Sequence, residues 1–202
     1  MSGANITKKA IVNSFKELME HKPFDKITVS DITQHCGLNR QTFYYHFQDK
    51  YALLNWIYHN EVNREFMYNL TFDNWSEHLL QASKVIQDNI KFYRNALLTA
   101  SSDEFRSYFF DAIKGIFLEA IHHIAAGYTV DEKDCLFIAE FFAYGISGTI
   151  INWICFDSKI SSESMVKHIE NLINDCEFMA IQRYIKTGGN AELPPNMTLT
   201  KT

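Results

Sequence analysis

The segment Thr28 to Lys50, TVSDITQHCGLNRQTFYYHFQDK, constrains this chain more than any other stretch of it. Thr28 can cap a helix, and Asp31 three residues on completes a capping box. Val29, Ile32 and Cys36 follow at i, i+3 and i+7, one apolar stripe on about two helical turns. Gly37 then stands where a helix end favours a residue free to take positive φ. Leu38 can plug a core, Asn39 can cap the next helix, and Phe43 and Phe47 give that helix an apolar face at i and i+4. Its other positions, Arg40, Gln41, Thr42, Tyr44, Tyr45 and His46, are mostly hydrogen-bond donors. Two short helices about a glycine turn, the second polar on its outer side, have the layout of a helix-turn-helix. That device lays its second helix in the major groove of DNA.

The side chains divide by what they can do there. Arg40 can bond guanine O6 and N7 bidentately, or neutralise a phosphate instead, and Gln41 can read adenine by similar geometry. Tyr45 lies away from the Phe43 stripe and fits a base or sugar contact, whereas Phe43 and Phe47 fill a core. Lys50 fits a backbone anchor that positions without specifying. Thr28, at a helix N-terminus, offers a hydroxyl and amides to another phosphate. His46 is balanced between a phosphate contact and a place at the rim.

This segment resembles the TetR family of bacterial transcription regulators, through Thr28, Asp31, Ile32, Gly37, Thr42, Phe43, Tyr44, Phe47 and Lys50 in register. The resemblance extends from Ile6 to about Leu54, roughly the first quarter of the chain. It implies an all-α fold: an N-terminal three-helix helix-turn-helix DNA-binding domain over residues 1–50, then a helical dimerisation and ligand domain over 51–187. It also implies that the Tyr44 hydroxyl reaches a phosphate. The expected DNA-binding set is Thr28, Asn39, Arg40, Gln41, Thr42, Tyr44, Tyr45, His46 and Lys50. Asn39 and Arg40 depart from the Ser and small residue of many relatives, so no operator sequence carries over.

Composition agrees with a globular helical protein: 47% hydrophobic and 21% charged residues, with three Pro and eight Gly. The net charge of −5 divides unevenly. Residues 1–50 hold seven Lys and Arg against five Asp and Glu, and the rest hold twelve against nineteen. An acidic body with a slightly basic head suits a protein that meets phosphates with one end. Cys36, Cys135, Cys155 and Cys176 form no CxxC pair and read as buried, reduced thiols of a cytoplasmic protein. The N-terminus reads as amphipathic helix rather than signal peptide. Phe141 to Phe156, FFAYGISGTIINWICF, is uncharged but short of the roughly 20 residues a membrane span needs, and is expected as a helix buried on all sides.

Periodicity places a first helix at about 7–20, with Ile11, Phe15, Leu18 and Met19 inward, broken at Lys22-Pro23. A helix from near Asp49 through Leu53, Leu54, Ile57, Tyr58 and Val62 to Phe66 would join head to body rigidly. Body helices are expected around 75–98, 103–126, 131–156 and 162–186, with a tail lacking periodicity over 188–202. FIAEFFAYGISGTIINWI is similar to a TetR branch that includes regulators of dihydroxyacetone kinase operons. In that family the last two long helices commonly pair with their mates, and Gly145, Ser147 and Gly148 permit close approach. The aromatic body can be core throughout or line an apolar pocket; Tyr108, Phe109, Phe117, His122, Phe141 and Asn152 are the pocket candidates.

Catalytic signals are poor. Glu119-x-x-His122 is half of a di-iron motif with no second ExxH, and His59-Asn60-Glu61 has no PCxxC to follow it. Walker, GxSxG and GxGxxG motifs are absent from the sequence. His122-His123 can be a metal ligand or an ordinary helix face; neither a metal nor a cofactor is expected, nor an enzyme. The expected function is a sequence-specific transcription regulator that binds a palindromic operator in double-stranded DNA as a homodimer. A small-molecule effector or a protein co-regulator at the C-terminal domain would modulate it. The alternative is a helical protein-interaction adaptor that keeps the motif without autonomous DNA binding; Arg40, Tyr45 and Lys50 argue against it.

Overall fold

The computed structural model describes residues 3–98, 103–124, 131–156 and 159–186. Among them the regular structure is helical throughout: α1 Gly3–His21, a 3-10 turn Phe24–Lys26, α2 Val29–His35, α3 Arg40–His46 and α4 Lys50–Tyr58. A π-turn, His59–Asn63, leads into α5 Arg64–Met67, then α6 Trp75–Asp88, α7 Ile90–Leu97, α8 Asp103–Ile124, α9 Glu132–Cys155 and α10 Ser162–Lys186. The tail expected over 188–202 lies outside the described residues.

The head is built on the apolar stripes. Ile11, Phe15 and Met19 of α1, Ile32 of α2, Phe43 of α3 with Phe47 just past its end, and Leu53, Leu54 and Ile57 of α4 are all buried. Phe15 packs edge-on against Phe24 and against Phe92 of α7, each at 6.1 Å, so the head's core runs into the body's without a gap. Asn95 of α7 strengthens this junction. Its amide donates to the carbonyls of Met19 (2.7 Å) and Lys22 (2.8 Å), and its oxygen accepts from Phe24 N–H (3.1 Å). One side chain thereby satisfies carbonyls that the end of α1 leaves open.

Two expected helices depart from regular α-geometry. The connector runs on helically past Phe66, as expected, but its hydrogen-bond ladder widens into a π-turn after Tyr58. Asn60 turns its side-chain amide back onto the Trp56 carbonyl at 2.8 Å, a local bond that competes with the helical ladder. The expected helix over 75–98 divides at Asn89, whose amide likewise donates to Val85 O at 3.1 Å.

In the body, α8 and α9 form an antiparallel pair, α6 packs on α10, and α7 sits between α1 and α9. Phe117 of α8 stacks on Phe142 of α9 at 4.9 Å and meets Phe72 and Trp75. Phe109 of α8 stacks on Phe66 of α5 at 4.9 Å. Trp153 is buried and donates its indole N–H to the Ile160 carbonyl at 3.0 Å, tying α9 to the approach of α10.

The expectation that 141–156 is buried on all sides is corrected. Helix α9 has the length and apolarity of a membrane span, yet a third of its most apolar window is buried. Ala139, Ala143, Ile146, Ile150 and Ile154 face the core, while Phe137, Phe141, Tyr144, Gly145, Gly148 and Asn152 are exposed. Core-facing and outward positions are both apolar here, so helical periodicity alone cannot separate them. The cysteines need a smaller correction: all are free thiols, with Cys135 and Cys155 buried but Cys36 and Cys176 only partly so.

Candidate nucleic-acid interface

The first helix of the motif is fixed by a complete capping box. Thr28 Oγ1 accepts from Asp31 N–H (3.1 Å), and the Asp31 carboxylate accepts from Thr28 N–H (2.7 Å) and from its hydroxyl (2.9 Å). Lys22 adds an ion pair to the same oxygen at 2.9 Å. That ammonium, followed by the Thr28 backbone and hydroxyl donors, holds the Asp31 carboxyl down at about 2. Both Thr28 donors are therefore engaged by Asp31, and a phosphate at Thr28 would have to compete with a carboxylate.

Gly37 carries the turn at φ +68° with no atom near the position of a Cβ, so conformation and not space selects glycine there. The Ser14 hydroxyl of α1 donates to Ile32 O at 2.8 Å and binds α2 to the scaffold.

Asn39 then caps α3, accepting from Thr42 N–H at 2.7 Å and from the Thr42 hydroxyl at 2.9 Å. These two residues of the expected DNA-binding set act first on each other. Phe43 and Phe47 anchor the helix from below, 5.9 Å apart, as expected of core residues. Arg40, Gln41, Tyr44 and Tyr45 are all exposed on the remaining surface of α3. Arg40 donates to the Tyr44 hydroxyl at 3.3 Å and lies over its ring, which holds a guanidinium and a phenol together beside open solvent. Tyr45 is 82% exposed, its ring resting edge-on against His46, which is half-buried. A tyrosine so placed has hardly any packing role in the chain itself.

Lys50 stands differently from an open phosphate anchor. Its ammonium donates to the carbonyls of Phe24 and Ile27 at 2.9 Å each and approaches that of Asp25 at 3.4 Å, above the Phe24 ring at 4.4 Å. Burial pulls its pKa below the ordinary lysine value. It cages the 3-10 turn and sets that turn against the start of α4. The signal missed in the sequence is the break Lys22-Pro23-Phe24-Asp25 itself: a chain reversal leaves carbonyls that a nearby cation can collect.

The pocket candidates do not converge. Phe109 and Phe117 are core residues of α8, whereas Phe141 and Asn152 point away from the core on α9. His122 is exposed at the end of α8 and bonded to Glu132 Oε2 at 2.9 Å. The side chain of Tyr108 lies outside the described ones. A cleft of about 340 Å³ does open between α5 and α6, lined by Arg64, Tyr68, Glu77, His78 and Gln81, and none of the described candidates borders it.

Comparison with known proteins agrees with this layout. Residues 11–57 match the family described as bacterial regulatory proteins, tetR family, and residues 73–175 match a transcriptional regulator C-terminal region. The HTH-type dhaKLM operon transcriptional activator DhaS of Lactococcus lactis subsp. lactis (strain IL1403) is 36% identical over 94 residues. That match takes in 46% of this chain and spans about half (50%) of the relative's length. Among solved structures, a dihydroxyacetone kinase operon activator DhaS superposes with a TM-score of 0.67 at 27% identity, over 85% of this chain and 96% of the other. A TetR transcriptional regulator from Streptococcus agalactiae 2603V, at 24% identity and a TM-score of 0.56 over 84% and 94%, shows the shared fold.

Proposed function

Because this chain belongs to the TetR family of transcriptional regulators, we propose that it binds a palindromic operator in double-stranded DNA as a cytoplasmic homodimer. In this reading residues 1–50 form the DNA-binding domain and 51–187 the dimerisation and regulatory domain. The observation that carries it is the division of α3, with Phe43 and Phe47 held below while Arg40, Gln41, Tyr44 and Tyr45 stand clear. Arg40 and Gln41 take the base edges, and Tyr45 a base or sugar. Tyr44 and His46 take the backbone, Lys50 joins them by releasing a carbonyl of the 3-10 turn that it otherwise holds, and Thr28 stands at the edge of the site. Asn39 and Thr42 hold the N-terminus of α3 in register. A random duplex library passed over the purified chain tests this: retained sequences should converge on one inverted repeat.

The exposed strip of α9 supports the homodimer. Phe137, Phe141 and Tyr144 supply apolar area, and Gly145 and Gly148 let a second helix come close. Leu172 on α10 is exposed as well, so two helices per chain have apolar surface for a four-helix contact. A two-fold axis there would present paired α3 helices to half-sites about 34–36 Å apart or somewhat wider.

The signal enters through the body, from a small molecule or a partner protein. That the aromatic candidates are packed in the core or scattered over the surface favours a partner protein, and resemblance to the operon activator DhaS makes activation the sign of choice. Either effector acts by binding the DNA-competent and incompetent forms unequally.

A further inference from the structure

The end of α8 and the start of α9 bring together three side chains that the DNA-binding function does not use. His122 lies on the last turn of α8, and Glu132 and Cys135 lie on the first turns of α9 at i and i+3. The His122 nitrogen, the Glu132 carboxylate oxygen and the Cys135 sulfur all lie within 4.8 Å of one another. We propose that these three residues bind a thiophilic divalent cation of the zinc class, clamping the end of α8 to the start of α9.

Imidazole, carboxylate and thiolate are the donor types zinc takes, at about 2.0–2.3 Å. A thiolate in the set disfavours magnesium and calcium, which prefer oxygen ligands. His122 and Glu132 already touch at 2.9 Å, and both side chains are about half or more exposed (48% and 61%), so they can close on an ion without disturbing the core. Cys135 is 2% exposed and marks the fixed side of the site. Charge is balanced: a carboxylate and a thiolate neutralise the dication. The helix dipoles point the right way too. The C-terminus of α8 favours a cation, and the N-terminus of α9 favours the two anionic ligands. The fourth position is left to solvent, as in zinc sites with three protein ligands. The clamp would fix the first turn of α9 just ahead of exposed Phe137 and Phe141.

The test is a cobalt titration of the full chain in metal-free buffer with a non-thiol reductant. Expected is a thiolate-to-cobalt charge-transfer absorption that saturates at one cobalt per chain and disappears when zinc is added. Cys135→Ser should abolish the band, while Cys36→Ser and Cys176→Ser keep it. Since Cys135 is buried and its replacement can disturb folding, the surface variants His122→Ala and Glu132→Gln carry the test independently. Each should weaken cobalt binding by about tenfold or more with an unchanged helical spectrum. A wild-type chain without the band, a band that survives Cys135→Ser, or unchanged affinity in both surface variants would overturn the proposal. DNA binding is not the readout, so the result stands apart from the operator reading.

Discussion

The Lys16 ammonium of α1 grips the Glu61 carboxylate of the π-turn, and the Tyr93 hydroxyl of α7 donates to the same oxygen at 3.1 Å. Burial, then the Glu61 charge, keeps that phenol protonated well above its ordinary pKa, so it remains a donor. Asn89, at the break between α6 and α7, also accepts from Lys16 at 3.3 Å. Head, connector and body therefore meet in one polar knot, at the place where the connector departs from α-helical geometry. The Lys16 and Glu61 side chains are 15% and 26% exposed, enough shielding for the pair to matter. Glu61→Ala should lower stability by about 1–3 kcal/mol in urea unfolding, because it leaves a shielded ammonium and a phenol without their shared acceptor. The Lys16→Met, Glu61→Leu double variant should lose less than the losses of Lys16→Met and of Glu61→Leu added together. Strict additivity would show that the two residues do not act together.

Asp31 sets a pH limit on the motif. Its folded pKa of about 2 lies below the ordinary carboxylate value of 3.8, so the stabilisation is whole above about pH 4 and is lost as pH falls towards 2. Asp31→Asn should remove this slope from the acid-unfolding profile of the chain. Carboxyl NMR should show Asp31 titrating below the surface aspartates. A midpoint near 3.8 would mean that Lys22 and Thr28 do not hold the carboxylate in solution.

Lys50 and Tyr45 should separate folding from DNA contact. Lys50→Ala deprives the Phe24 and Ile27 carbonyls of a shared donor and should cost about 1–3 kcal/mol of stability. It should also weaken DNA binding nearly uniformly across sequences, with the log–log salt slope flatter by about one, the share of a single phosphate contact. Tyr45→Ala should leave stability within about 0.5 kcal/mol, since the ring is almost wholly exposed, and should reduce operator affinity. Melting curves and anisotropy titrations on both variants decide it. Equal melting losses in the two would contradict the division.

What was legible in the sequence follows the physics of local signals. Capping at Thr28 and Asn39, the left-handed Gly37, and the Phe43 and Phe47 face all depend on residues within one or two turns, and spacing reveals them. Asn95 reaching across to Met19 and Lys50 reaching back to Phe24 span 76 and 26 residues, and no periodicity encodes such partners. The π-turn escaped for another reason: Tyr58, Val62 and Phe66 keep a normal i, i+4 pattern, so the apolar stripe conceals the defect that Asn60 makes in the backbone. The pocket candidates rest on residue type, and an aromatic residue has the same letter in a core and on a surface strip.

Assembly is best tested on the exposed strip of α9 and not in the core. Trp153 and Ile169 are buried within the chain, so an aspartate at either would unfold it and report nothing on association. Phe141, 66% exposed, is the informative position. Phe141→Asp should shift the purified protein from about twice the chain mass to the chain mass in sedimentation equilibrium, with its helical spectrum retained. A wild-type chain that is monomeric at micromolar concentration would remove the case for a palindromic operator.

Base reading by α3 is tested most directly by selecting duplexes from a random library with the wild-type chain and with Arg40→Ala in parallel. The wild type should enrich one inverted repeat. The variant should recover the same repeat with one symmetry-related position degenerate and affinity for the parent site lower by about 1–3 kcal/mol. No enriched sequence with the wild type, or an identical motif at undiminished affinity with Arg40→Ala, would contradict it.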